Sequence, residues 1–302
     1  MGKITGFLDF HREPPERRPV NQRLQDYQEI YDPWPEEATR DQGARCMNCA
    51  LPFCHGGCPL GNLIPDWNDL VYKGRWKEAL AALHATNNFP EFTGRICPAP
   101  CEASCVLAIN EQPVAIEYIE KAISDKGYDE GWIAPNPPHK RTGKKVAVVG
   151  SGPSGMAAAD QLNRAGHTVT VFERSEYIGG LLTLGIPDFK LDKQVIERRV
   201  NLMKAEGVQF LTSTNVGEDF PAKDLLDTYD AVCLTGGSTI PRRLGVEGED
   251  LAGVHVAMDY LTQQNRVNRG QPTGANDRID AAGKAVVILG GGDTGADCLG
   301  TA

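Results

Sequence analysis

The sequence of 302 residues is poor in positive charge, in long apolar runs and, past its first third, in cysteine. Its 31 Lys and Arg stand against 40 Asp and Glu, a formal charge of −9. That balance argues against nucleic acid or an anionic membrane surface as the main partner. The longest apolar runs, such as AVVIL at 285–289, are strand-sized. They fall far short of the roughly 20 residues a membrane span needs. The opening MGKITGFLDFHREPPERRP has no apolar core of signal-peptide length, and Gly6 breaks the myristoylation pattern. A cytoplasmic location is therefore expected. Charged residues at 24% and apolar residues at 41% exclude a disordered chain.

Cysteine is present, but unevenly. Seven of the nine lie between Cys46 and Cys105, and only Cys233 and Cys298 follow. Such clustering points to a local metal or redox task. In a cytosolic setting it favours that task over structural disulfides.

Along the chain, residues 1–40 are polar and Pro-rich and read as an extended arm, with one short helix expected at Val20–Tyr31. Residues 41–130 lack an alternating strand signal. Helical patterns at Leu63–Lys73, Trp76–Thr86 and Val114–Lys126 predict a small helical domain. The stretch GWIAPNPPHKRTGKK at 131–145 reads as a linker. From Val146 onward short Val-rich runs alternate with helical segments, which predicts βαβ units and a parallel sheet. No repeat of 20–50 residues is present, but a glycine fingerprint recurs at Gly150 and Gly290.

The first cysteine run is Cys46-x2-Cys49-x4-Cys54-x3-Cys58-Pro59, and the second is Cys97-x3-Cys101-x3-Cys105. Bacterial ferredoxins use a related run in which the last Cys ligates the other cluster. By that logic Cys46, Cys49 and Cys54 hold one iron–sulfur cluster and Cys58 crosses to a second. Two [4Fe–4S] clusters need eight ligands, and seven cysteines are offered. Either one cluster lacks an iron or one ligand is not Cys. His55, Glu102, Glu117 and Glu120 are the nearby candidates. Two structural zinc sites are the competing reading, but these spacings are not two C-x2-C pairs.

Residues 145–155, KVAVVGSGPSG, carry a strand into Gly150-x-Gly152-x-x-Gly155. A helix at Met156–Ala165 and a strand at Val169–Phe172 follow, ending at Glu173. This is a dinucleotide-binding pattern. Gly150 permits the turn, Gly152 admits the pyrophosphate, Gly155 packs helix on strand, and Glu173 accepts ribose hydroxyls. Gly179-Gly180 sits where a flavin needs close backbone approach. A strand at Ala231–Leu234 leads into Thr235–Gly237, where the chain is expected to return to the same nucleotide. Residues 284–298, KAVVILGGGDTGADC, repeat the fingerprint as a strand at Ala285–Leu289 entering Gly290-x-Gly292-x-x-Gly295. Two fingerprints suggest a flavin and a pyridine nucleotide. Disulfide reductases of this architecture carry a close cysteine pair beside the flavin, and none follows residue 145. Cys233 reads as a small core hydrophobe. Electrons must then leave by way of the N-terminal clusters.

On these motifs, together with GKITGFLDF, ARCMNCALPFCHGGCPLGNLIPDWNDLVYKGRW, LHATNNFPEFTGRICPAPCEASC and IGGLLTLGIPDFKLDK, nearly the whole chain resembles the N-terminal portion of the small (β) subunits of NADPH-dependent glutamate synthases. The cluster-plus-flavin arrangement is shared with the N-terminal half of dihydropyrimidine dehydrogenase and with flavin-based ferredoxin–NADP oxidoreductases. The resemblance implies an α+β protein in three parts: an arm and helical double-cluster domain at 1–140, an α/β Rossmann-like FAD domain at 141–240, and the start of a second Rossmann-like, NADPH-binding domain at 241–302.

The resemblance also implies ligand sets. One [4Fe–4S] cluster would use Cys46, Cys49, Cys54 and Cys105, and the other Cys58, Cys97, Cys101 and Glu120. Glu120 stands where the dihydropyrimidine enzyme has Gln. FAD would be met by Gly150, Ser151, Gly152, Pro153, Ser154, Gly155, Glu173, Gly180, Leu181 and Lys190, with backbone from Ile96 and Val216. NADPH would be met by Gly290, Gly291, Gly292, Asp293, Thr294 and Gly295. The implied reaction is hydride transfer from NADPH to FAD and single-electron transfer through the clusters. A large (α) subunit would then make glutamate from glutamine and 2-oxoglutarate. No general acid or base is required, because the cofactors carry the chemistry. The alternative is a related flavin and iron–sulfur subunit serving ferredoxin or another dehydrogenase. Because the helix after the second fingerprint begins so near residue 302, these residues are expected to be a fragment of a longer protein.

Overall fold

A computed structural model describes residues 2–271 and 278–302. The chain divides into two compact units, residues 1–135 and 136–302.

The first unit is helical. Its main elements are α1 (Glu36–Ala44), α2 (Phe53–Gly57), α3 (Ile64–Tyr72), α4 (Trp76–His84), α5 (Pro90–Ile96), α6 (Pro100–Ala103) and α7 (Ile116–Asp129). Apolar residues recur at helical spacing, with Ile64, Trp67 and Val71 on α3, Trp76, Leu80 and Leu83 on α4, and Ile116, Ile119 and Ile123 on α7. These stripes meet in one core, where each large side chain contributes about 1.5–3 kcal/mol of burial. Pro65 opens α3 at a position that needs no N–H. Gly74, at φ +70°, ends that helix in the left-handed conformation glycine favours.

The expected helix at Val20–Tyr31 shrinks to a single turn, Val20–Arg23. Arg18 explains the difference. It pairs with Asp26 and donates to the carbonyls of Gln28 and Glu29, so the segment folds back as a loop. A bridge between Arg17 and Tyr31 closes that loop.

The second unit is α/β. It holds β1 (Lys145–Val149), α8 (Pro153–Arg164), β2 (Thr168–Phe172), α9 (Leu181–Leu184), α10 (Lys193–Ala205), β3 (Gln209–Leu211), α11 (Ala222–Thr228), β4 (Ala231–Leu234), α12 (Ala257–Asn268) and α13 (Asp293–Thr301). The sheet order is β3-β2-β1-β4, all parallel, with Val146 opposite Val169 on one side and Ala231 on the other. The near-continuous apolar strands match burial on both faces, and Ala147, Val148, Val169 and Val171 are fully buried. The chain builds outward from β1 to β3 and then returns beside β1 as β4. The carboxyl end of β1 is therefore a topological switch point, where such sheets bind ligands.

The expected strand at Ala285–Leu289 is not formed. Val287 is 84% exposed there, and no strand pairs with the segment among the described residues. A strand exists only through its neighbours' hydrogen bonds, however apolar its sequence. The glycine turn and helix that follow it are local structures, and they do form. Among the described residues no helix is long and apolar enough to cross a membrane.

Gly94 fixes the crossing of α5 on α7. A Cβ there would stand 2.6 Å from the Lys121 nitrogen and 2.7 Å from its Cα. Gly94→Ala is expected to spread the two helices and cost about 1–3 kcal/mol. Chemical denaturation checks this, and an unchanged midpoint would show that the crossing yields freely.

Candidate functional site

All seven cysteines of the first unit are free thiols. Packing sorts them into two sets. Cys54 lies within electrostatic reach of Cys46, Cys105 and Cys49. These four line one hollow together with Asn68 and Ile116. Cys101 lies within reach of Glu102, Glu120, Cys58 and Cys97, and Cys97 within reach of Glu120, Glu117 and Cys58. Two turns in left-handed backbone shape the loops, at Asn48 (φ +48°) between Cys46 and Cys49, and at Ala99 (φ +49°) between Cys97 and Cys101. The Ala99 N–H donates to Cys97 Sγ at 3.4 Å. Helix α2, carrying Cys54 and leading to Cys58, packs on α6, which carries Cys101. That contact needs Gly57, whose Cβ would overlap Ser104.

Burial sets the chemistry of these thiols. It pushes Cys46 and Cys97 up, Cys54 up to about 12, and Cys101 higher still. A bare thiolate is unfavourable in such surroundings, and a bound cationic centre reverses that. Asn68 adds a second sign. It is 0% exposed, and neither amide atom has a partner with hydrogen-bond geometry, although the amide favours the Cys46 thiolate. A buried unsatisfied amide costs about 1–3 kcal/mol. The donor set therefore fits a thiolate-held cluster that would also offer sulfur acceptors to Asn68. Among the described residues, no three His, Cys, Asp or Glu side chains form a group suited to a single metal ion.

Glu120 sits beside the second set, 6% exposed. Its Oε1 accepts from Asn87 Nδ2 at 3.2 Å and from the Thr93 hydroxyl, and its Oε2 accepts from Asn62 Nδ2 at 3.4 Å. Burial pushes its pKa up to about 7. Three donors hold the carboxyl in place, and Oε2 retains a free lone pair for a metal. Of the other candidates, Glu117 is pushed up by burial to about 8, and Glu102 pairs with Arg12 at 2.8 Å. His55, on α2, keeps Nε2 buried without a partner.

In the second unit the first fingerprint forms as expected. Gly150 adopts φ +103°, and its missing Cβ leaves room for the Thr235 carbonyl. A Cβ on Gly155 would overlap the Gly150 carbonyl. Helix α8 has Gly152 as N-cap, Pro153 in its first turn and no side-chain cap. Its first N–H groups are therefore available to an anion. No atom lies within 4 Å of where a Cβ on Gly152 or Gly236 would stand, so this loop faces open space.

Glu173 accepts from the Ser151 N–H at 2.9 Å, the Ser151 hydroxyl at 2.6 Å and the Ser175 N–H at 2.8 Å. The Ser151 hydroxyl accepts from the Gly179 N–H at 3.0 Å. The acid thus ties the first fingerprint to the Gly179–Gly180 turn, with lone pairs remaining. Gly180, at φ +55°, approaches Gly152, and Leu181 opens α9 beside it. The return of the chain at Thr235 is also present, for its hydroxyl donates toward the carbonyls of Val149 at 2.9 Å and Gly150 at 3.0 Å.

The second fingerprint repeats this geometry. Gly290 has φ +121°, a Cβ on Gly295 would stand 2.5 Å from the Gly290 carbonyl, and α13 starts uncapped after Gly292. Gly291, Asp293 and Thr294 are exposed there. Lys190 lies 2.5 Å from Asp297 and 3.9 Å from Asp293, both on α13. Val216 pairs with Phe220 and packs near Phe172. Ile96 closes α5 in the first unit.

Two residues of the first thiol site escape a reading of the cysteine spacing. Asn68 completes the buried stripe Ile64, Trp67, Asn68, Val71, and an amide in an apolar stripe is the signal that marks it. Arg45 precedes Cys46 and is buried. A charge beside a ligand marks it only weakly.

Residues 23–132 match the family described as dihydropyrimidine dehydrogenase domain II, 4Fe-4S cluster. Residues 144–302 match the pyridine nucleotide-disulphide oxidoreductase family. The chain is 58% identical over 305 residues to the glutamate synthase [NADPH] small chain of Mycobacterium tuberculosis (strain ATCC 25618 / H37Rv), covering 100% of this chain and 62% of that one. It is 55% identical over 311 residues to the small chain of Bacillus subtilis (strain 168), covering 100% and 63%. The chain thus spans under two thirds of the length of these relatives. Among solved structures, FprA of Mycobacterium tuberculosis in complex with NADPH is 30% identical over 40% of this chain and 29% of that one, with a TM-score of 0.38.

Gly155→Val is expected to abolish dinucleotide retention, because the side chain would overlap the Gly150 carbonyl. Flavin absorbance of the purified protein checks this. Retained flavin would show that the first fingerprint is not the binding loop.

Proposed function

The chain belongs to the pyridine nucleotide-disulphide oxidoreductase family, and on that footing we propose that it is the electron-input part of a glutamate synthase. The observation that carries the proposal is the sorting of seven thiols into two sets, one of four and one of three beside Glu120. The names of the relatives and the cluster family matched by residues 23–132 support it. Cys233 lies in β4 and Cys298 in α13, each a free thiol.

In this proposal Cys46, Cys49, Cys54 and Cys105 hold one [4Fe–4S] cluster. Cys58, Cys97, Cys101 and Glu120 hold the other. Gly150–Gly155, Glu173, Gly180, Leu181 and Lys190 hold FAD, with backbone from Val216. Gly290–Gly295 meet NADPH, and residues 241–302 open the domain that binds it. When bound, these groups supply hydride acceptance and single-electron carriage.

The protein's own part is to bind and orient. The uncapped N-termini of α8 and α13 receive phosphate oxygens through free N–H groups and the positive end of the helix dipole. The Ser151–Glu173–Gly179 links hold the first loop rigid, and the free lone pairs of Glu173 accept ribose hydroxyls. The carboxylate also repels a 2′-phosphate at that site. No side chain need take or give a proton. A large subunit uses the electrons to convert glutamine and 2-oxoglutarate into two molecules of glutamate.

Glutamine- and 2-oxoglutarate-dependent NADPH oxidation, measured with and without a glutamate synthase large subunit, tests this. Turnover is expected only with all components present. If 2-oxoglutarate never stimulates turnover with any partner, the proposal fails. The role of Glu120 has its own check. Glu120→Ala is expected to lose the second cluster, read as iron content and electron paramagnetic resonance. Glu120→Gln, which keeps a ligating oxygen, is expected to retain it. Full iron in Glu120→Ala would remove Glu120 from the ligand set.

A further inference from the structure

Helix α3 presents Ile64, Pro65 and Asn68 to the hollow that Cys46, Cys49, Cys54 and Cys105 line. Ile64 and Asn68 stand one turn apart, so both fall on one face of the helix. The four thiols aside, the other side chains lining the hollow are apolar. Among the described residues, Asn68 alone brings a side-chain oxygen or nitrogen to it. Asn68 is fully buried, and neither Nδ2 nor Oδ1 has a partner with hydrogen-bond geometry.

The other buried asparagines of the helical unit make the contrast. Asn62 donates to Glu120 at 3.4 Å and accepts from the Thr86 hydroxyl at 2.7 Å. Asn87 donates to Thr93 Oγ1 at 2.8 Å and to Glu120 at 3.2 Å, and its Oδ1 accepts from the Phe89 N–H at 3.0 Å. Folding alone satisfies both of these amides and leaves Asn68 unsatisfied beside the thiols. A leucine, of similar shape, would fill the same place without an orphaned amide. A buried polar group that the fold itself does not use calls for another partner.

We infer that Asn68 is a positioning residue of the first thiol site: its amide N–H donates to sulfur of the group held by Cys46, Cys49, Cys54 and Cys105, and so raises the potential at which that group takes up an electron. The inference rests on the proposal that this site holds a [4Fe–4S] cluster. Thiolate and sulfide accept hydrogen bonds and donate none, so the amide turns its N–H to them and not its carbonyl. Reduction adds one electron and breaks no bond. It makes the sulfur acceptors more negative, and a donated N–H is then held more strongly than before. Hydrogen bonds to sulfur are one lever by which a protein sets such potentials. Asn62 and Asn87 turn their N–H groups to the Glu120 carboxyl, and Asn68 lines the first hollow, so the effect is confined to the first set.

The test is an anaerobic titration of the full chain with dithionite, followed by electron paramagnetic resonance, on the wild type, Asn68→Leu and Asn68→Gln. Asn68→Leu keeps the shape and removes the donor. It is expected to make one cluster signal about tenfold harder to reduce, a downward shift of about 59 mV for one electron. The other signal is expected to stay in place. Asn68→Gln keeps the amide and is expected to move the same signal by less than half as much. If Asn68→Leu loads a single cluster while Asn68→Gln loads both, the donor is required and the inference stands. If neither variant loads both, or if Asn68→Gln moves the signal as far as Asn68→Leu does, the side chain only fills space and the inference fails. It fails equally if Asn68→Leu moves both signals, moves one upward or moves none. A wild type without iron and sulfide would instead overturn the cluster proposal itself.

Discussion

Sulfur anions are costly to bury, and the helical unit is built around that cost. It places Cys46, Cys54, Cys97 and Cys101 where burial disfavours the thiolate, and none of its seven thiols forms a disulfide. The helices bring the two cysteine runs together, with Gly57 allowing α2 to meet α6 and Gly94 allowing α5 to meet α7. The buried amide of Asn68, which lines the first thiol hollow without a hydrogen-bonded N or O partner, points the same way. That amide is unfavourable alone and becomes favourable once the thiols act as thiolates around a cationic core.

The second unit solves a different problem, the approach of a polyphosphate to a protein backbone. It does so twice with the same parts. At Gly150 and again at Gly290 a positive-φ glycine turns the chain, and a third glycine admits the carbonyl of the first. Each helix then starts without a side-chain cap. The first copy is backed by a four-stranded parallel sheet, and among the described residues no strand backs the second. This contrast separates what glycine geometry achieves locally from what a sheet supplies.

The local devices were the legible ones. Gly150, Gly152, Gly155 and Glu173 stand at the expected places because a strand–turn–helix unit is set by residues close in sequence. The core helices at 64, 76 and 116 followed from apolar spacing for the same reason. Non-local pairing defeated the reading elsewhere. Ala285–Leu289 has strand composition without a strand partner, and Val20–Tyr31 has helical composition that the Arg18–Asp26 pair overrides. Glu173 was expected to serve the ribose, and its tie to Ser151 and Gly179 appears only in three dimensions. The cysteine spacing alone left the eighth ligand open among several residues. Glu120 stands out only once Asn62, Asn87 and Thr93 are seen to hold its carboxyl beside Cys97 and Cys101.

The central claim is that two thiol sets hold two four-iron clusters. Iron, zinc and acid-labile sulfide per chain in anaerobically purified protein test it most directly. The account predicts about eight iron and about eight sulfide per chain, without zinc. About two zinc per chain with no sulfide would contradict it.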